Sequence, residues 1–197
     1  MKDKKNVGTA FWEVEVYDKD GKLIDKKSGK GNTILNNWIR ILAVLRNPAD
    51  YGDKFQFTDT NGNTIQADQI VGSGSSMLAP AGMDSYGLVV GSGTTSVSLD
   101  DYNLASKIPH GTGSGQLSYG DTSKYDYSEG TMVDHGVQRS FDNNSGADIT
   151  VNEIGLIATI NIGGQNINVL IMRDVISATT IPNGGRLTVK YWFRYNA

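Results

Sequence analysis

Two histidines, four glutamates and no cysteine define the chemistry open to this chain. His110 and His135 stand far apart, and neither sits in the HxH, HxxxH or HExxH spacing that places imidazoles around zinc. Asp134 beside His135 could orient a base, but no nucleophile motif accompanies it: there is no GxSxG and no Walker A sequence. Each histidine therefore reads as a surface or turn residue. Glycoside hydrolysis would need two carboxylates flanking a sugar. Glu13 and Glu15 share a strand face by periodicity alone, and solvent exposure explains them. The absence of cysteine removes disulfides and thiolate metal sites. We expect no enzyme, no cofactor and no metal site.

Calcium is the more reasonable metal to test, because it accepts Asp, Asn and carbonyl oxygens from loops. Asp59, Asn61 and Asn63 alternate in a suitable way, but Gly62 comes too early for an EF-hand and Ile70 stands where the bidentate glutamate belongs. Asp18 and Asp20 are a weaker set, and Asp100, Asp101 and Asn103 can simply cap a turn. Asx residues favour turns without any ion.

Glu153 is the acid that calls for a partner. Residues 152–156, NEIGL, break the alternation set by Ile149 and Val151, since Ile154 and Leu156 have the opposite parity. A β-bulge near Glu153 and Gly155 would restore the inward set. A carboxylate among apolar neighbours must then be paired, and Arg173, between Met172 and Asp174, is the natural partner. We read Glu153 and Arg173 as a partly buried structural ion pair.

These residues need a β scaffold. Residues 10–17, AFWEVEVY, alternate with period two: Trp12, Val14 and Val16 on one face, Phe11, Glu13, Glu15 and Tyr17 on the other. Asp20-Gly21 marks a hairpin turn, and a returning strand follows. A helix is expected next, capped by Asn32 or Thr33, with Ile34, Trp38, Ile41 and Leu45 on one stripe that Leu35, Ile39 and Leu42 widen. Asn47-Pro48 ends it. A second hairpin turns at Asn61-Gly62. Residues 131–142, 149–159, 166–176 and 186–195 each read as strands, separated in part by glycine turns. Residues 109–130 are polar, with Leu117 as their only large aliphatic residue. They read as an exposed hairpin or loop in which Tyr119, Tyr125 and Tyr127 could meet a partner.

About eight strands and one amphipathic helix near the N-terminus predict a mainly β fold, an antiparallel β-sandwich, with the jelly roll as its likeliest-fitting form. An immunoglobulin-like sandwich has the same signature. We expect one domain over residues 1–197, with the hairpin and helix at 10–46 as its N-terminal part. Glycine at 24 residues and proline at four suit short strands joined by tight turns.

The net charge of −3 argues against nucleic-acid binding, which needs a basic footprint to displace counterions. Lys2, Lys4 and Lys5 make only a short polar terminus. The opening residues lack the apolar core of a signal peptide. The apolar run at 34–45 carries Arg40 and is too short to span a bilayer, which takes about 20 apolar residues.

Four stretches carry a resemblance: residues 29–45 (GKGNTILNNWIRILAVL), 88–108 (LVVGSGTTSVSLDDYNLASKI), 141–156 (FDNNSGADITVNEIGL) and 171–193 (IMRDVISATTIPNGGRLTVKYWF). Together they resemble virion structural proteins of tailed phages and some archaeal viruses. In that group a strand ending in NEIGL is followed by a strand carrying RDV and a glycine turn into the last strand. The resemblance covers about half the chain. It implies a non-enzymatic component of a particle assembled in the host cytoplasm, whose partners are itself and other particle proteins. Decoration protein, spike or turret, tail component and fibre all fit it. A carbohydrate- or receptor-binding module is the alternative, in which the tyrosines would stack on a host glycan.

Overall fold

The computed structural model describes residues 9–31, 34–46 and 54–196. In chain order these form β1 (Thr9–Tyr17), β2 (Leu23–Lys30), α1 (Asn36–Arg46), β3 (Phe55–Thr58), β4 (Thr64–Ala67), β5 (Val71–Ser76) and β6 (Gly87–Gly91). β7 (Ser118–Tyr119), β8 (Ser123–Glu129), β9 (Met132–Asp142), β10 (Ile149–Ile162), β11 (Gln165–Ile181) and β12 (Arg186–Asn196) follow. The molecule is mainly β with one short helix, and its strand pairs are antiparallel. It has more strands than the eight expected, because polar and glycine-rich stretches such as residues 71–76 and 123–129 also pair.

Six strands form the larger sheet, in the order β2-β1-β12-β9, with β7 and β8 following one another along the far side of β9. β11 and β10 form the second sheet, with β5 and β6 along the other edge of β10. β3 and β4 are a separate hairpin. The period-two pattern decides which side chains face inward. Val14 and Val16 of β1, Leu187, Val189 and Tyr191 of β12, and Val137 and Phe141 of β9 share one core with Leu88, Ile154 and Leu156 of the second sheet. The first hairpin closes through Asp18, whose Oδ1 accepts the amides of Asp20 and Lys22 at 3.0 and 2.9 Å, while Gly21 supplies φ +77°.

The helix departs from expectation in three ways. It is the third element in the chain, not an N-terminal one, and it begins at Asn36. Ile34 lies before it, bridged to Met172, and the Leu35 amide donates to Ile171 at 3.0 Å. The buried face is also rotated: Asn37, Ile41 and Val44 point inward, while Ile39, Leu42 and Leu45 are 54%, 46% and 65% exposed. Asn37 is the cause. Its side chain bonds the Thr58 and Leu170 carbonyls and the Thr58 amide, tying α1 to β3 and β11 at once. A polar residue at the centre of a buried face is invisible to apolar periodicity. The proposed caps Asn32 and Thr33 and the stop at Asn47-Pro48 lie outside the described residues.

Arg139 occupies an inward position between Val137 and Phe141 and is 1% exposed. Its guanidinium donates to five carbonyls: Gly120 (2.8 Å), Tyr86 (3.3 Å), Leu88 (2.9 Å), Pro80 (3.2 Å) and Met83 (2.6 Å). It also lies 4.8 Å from the centre of the Tyr119 ring. Burial pulls its pKa below the ordinary arginine value. One side chain thus anchors residues 80–88 and Gly120 to β9. Arg139→Met should lower stability by at least about 3 kcal/mol, since several buried carbonyls lose their donor. Arg139→Lys should recover only part of that, because an ammonium lacks the planar fork of five donors. Urea unfolding checks both, and midpoints equal to wild type would contradict this role.

Candidate functional site

Glu153 and Arg173 stand on the face of the second sheet that points away from the shared core, on neighbouring strands β10 and β11. They are 0% and 1% exposed. The Arg173 Nε and Nη2 atoms lie 2.9 and 2.8 Å from Glu153 Oε2. Arg173 Nη1 reaches Asp101 Oδ2 at 2.6 Å, and Nη2 donates to the Thr95 carbonyl at 2.9 Å. Glu153 also accepts three backbone amides, from Gly93 (3.0 Å), Ala105 (3.0 Å) and Ser106 (2.7 Å). The residue thus holds the 92–106 segment closed over the sheet, and Asp101 completes the network from that segment. Sequence reasoning paired Glu153 with Arg173 and read Asp101 as a turn cap, which it is, accepting the Ser98 amide at 2.9 Å, but missed its bond to Arg173.

The bulge is also differently placed. Two steps along β10, from Val151 to Glu153, match four along β11, from Thr179 to Val175. One step from Leu156 to Ile157 matches two, from Met172 to Leu170. The extra residues therefore lie in β11, not in β10 near Glu153 and Gly155. Residues 153–160 are buried without alternation because this stretch of β10 is covered on both faces. Leu104 of the 92–106 segment sits over Gly155, where an added Cβ would come within 2.8 Å of its side chain.

The other acids and the histidines are also engaged. Glu13 and Glu15 sit among Lys26 and Lys190 at 2.7–3.7 Å. Lys26 is the chief cause that holds the Glu15 carboxyl below its usual range. Partial burial raises the Glu13 carboxyl, but Lys190 and Lys26 outweigh that and leave it lowered as well. Asp59 accepts the Asn61 and Asn63 amides and the Asn63 side chain, an Asx turn. Among the described residues, no three His, Asp or Glu side chains converge as metal ligands. Neighbouring strand residues point to opposite faces, so Asp134 cannot orient His135. Asp134 takes Arg194 at 2.7 Å, and His135 instead meets Asp126 at 3.0 Å. His110 Nδ1 accepts the Tyr119 amide at 3.1 Å.

The three tyrosines part company. Tyr119 is 3% exposed; its hydroxyl donates to the Ile108 carbonyl at 2.6 Å and its ring packs on Phe141. With Leu117 also buried, residues 117–119 fold onto the core, while residues 109–116 stay largely exposed, as expected of that stretch. Tyr125 is half-buried, its ring edge-on to Trp192 at 5.5 Å. Tyr127 is 46% exposed and bonds Glu129. Residues 123–129 are strand β8, at the edge of the larger sheet.

A groove of about 590 Å³ opens between α1, residues 76–78 and the far end of the larger sheet. Trp38, Met77, Leu78, Val137, Phe193 and Tyr195 line it. Trp38 stacks on Phe193 with ring centres 6.2 Å apart. Leu42 and Leu45 continue the Trp38 stripe along the helix at i+4 and i+7. Sequence periodicity found Trp38, Leu42 and Leu45 as part of one wide apolar stripe, to be buried on a sheet or against a partner chain.

Compared with family models, with curated proteins and with solved structures, the chain matches none of them.

Glu153→Ala should cost about 3–5 kcal/mol, since it strips a buried guanidinium of one carboxylate and frees three buried amides. In hydrogen exchange, Gly93, Ala105 and Ser106 should lose protection together. Gly93→Ala should mimic it, because a Cβ there would lie 2.4 Å from Glu153 Oε1. Unchanged melting and unchanged protection would show that the carboxylate does not hold the segment.

Proposed function

We propose that this protein is a non-enzymatic assembly component that associates with copies of itself and with other proteins of a larger particle. The observation that carries the reading is the apolar stripe Trp38, Leu42 and Leu45 running into the groove beside Leu78, Phe193 and Tyr195. An exposed apolar surface of this kind marks an interaction site more often than an isolated exposed leucine does. Glu153, the most deeply buried acid, has its oxygens taken up by Arg173 and three amides, so it serves the fold and is not free to act on a substrate. Assignment to a virus or phage particle draws on the sequence resemblance, and a jelly-roll-like wiring of the sandwich on the number of strands and their short turns. The carbohydrate-binding alternative has less to stand on. Tyr119 is interior and Tyr125 packs on Trp192, which leaves Tyr127 as the open ring of the three.

Light scattering tests the proposal. Wild type should run heavier than the 21.3 kDa monomer in a concentration-dependent way. Leu42→Asp with Leu45→Asp should shift it toward monomer with its melting temperature kept, because both side chains are already exposed. A wild-type chain that stays monomeric and is absent from any larger assembly would overturn the reading.

A further inference from the structure

We infer that β8 is a self-pairing edge: two copies join antiparallel along Ser123–Tyr127 about a two-fold axis at Tyr125, making one continuous sheet. This deepens the assembly reading and rests on it. β8 pairs with β9 on one side, Ser123 opposite Gln138 through Glu129 opposite Met132. Among the described residues no strand takes its other side. Alternate amides and carbonyls along that side are therefore unpaired, the usual template for adding a strand.

Charge decides which strand fits and in which register. Side chains of paired residues share a sheet face, and a two-fold normal to the sheet preserves the faces, so even positions meet even and odd meet odd. Lys124 and Asp126 share one face, and both are exposed. Lys124 has no salt bridge or side-chain hydrogen bond among the described residues; Asp126 has His135 at 3.0 Å. Centring on Tyr125 sets Lys124 against Asp126 of the second copy, twice by symmetry. Centring on Lys124 or Asp126 sets like charges opposite, and centring on Tyr127 forms no charge pair. An edge lysine alone deters strand addition. With a carboxylate two residues on, it favours one register, the one centred on Tyr125. The opposite edge, β2, differs: its Asp25 and Lys27 are already paired with each other at 3.0 Å, Lys27 also donates to the Ala178 carbonyl, and an axis at Lys26 would set that lysine against itself. Before Ser123 the chain is held elsewhere, since the Thr122 amide donates to Ala79 and Asp121 accepts the Ala81 amide. The Lys124 and Asp126 side lines the groove, so the two apolar grooves of such a pair flank the same axis.

The chain has no cysteine, which makes single-cysteine crosslinking clean. Tyr125→Cys should form a disulfide dimer rapidly under mild oxidation, because cross-strand Cα atoms about 4.5–5.5 Å apart suit the bond. Tyr127→Cys should not, since its two copies would be four residues out of register, roughly 13 Å apart. Lys124→Asp should weaken dimerisation about tenfold, Asp126→Lys likewise, and the two together should restore it. The charge variants keep Tyr125 and so guard against loss of its packing on Trp192. Equal crosslinking at 125 and 127, or charge variants that associate like wild type, overturns the β8 pairing. If wild type still associates in that case, the assembly reading survives; if wild type is monomeric, both fall.

Discussion

A carboxylate and a guanidinium sealed from water on the outward face of a sheet govern much of this structure. Charges so placed are costly unless every lone pair and proton is used. Glu153 and Arg173 meet that demand by drawing the 92–106 segment down on themselves. Three amides of that segment, the Thr95 carbonyl and the Asp101 carboxylate complete the shell. Glycine stands at 91, just before the segment, and at 93 within it because the carboxylate passes too close for a side chain: a Cβ at either would fall about 2.5 Å or less from Glu153 Oε1. Those two glycines are thus a packing requirement.

Arg139 repeats the device on the core side. It lacks a close carboxylate and relies on carbonyl oxygens at five positions and on the Tyr119 ring. Two buried arginines therefore organise the two long irregular regions, 77–87 and 92–106, that a regular ladder does not reach. Apolar burial aligns the sheets, while directional bonds from these cations specify where the loops lie.

This division explains how far the sequence was readable. Strands β1, β9 and β12 follow from alternation, and the β1–β2 turn follows from Asp18 and Gly21, since those signals are local. Glu153 and Arg173 were also recognisable as charges in apolar surroundings. Asp101, Asn37 and the interior place of Tyr119 were not, because each depends on a partner 20 or more residues away or on a carbonyl, and carbonyls leave no mark in a sequence. Arg139 did leave one: its parity with Val137 and Phe141 places it inward, a charged residue at a core position. The helix illustrates the limit most directly. Its apolar residues were visible, but its orientation is set by Asn37, so periodicity alone could not say which of them face the core.

The same bonds bear on how the surface can act. Binding orders whatever is mobile at an interface, and that ordering opposes association. A segment already closed over a buried ion pair has little of that freedom left to lose. The exposed stripe of α1 is likewise set by Asn37, which fixes the helix to β3 and β11 and leaves Leu42 and Leu45 outward in a defined orientation. The interior polar contacts thus do more than stabilise a fold. By deciding which apolar residues stay outside, they present a preorganised surface, and the proposed assembly role rests on that surface.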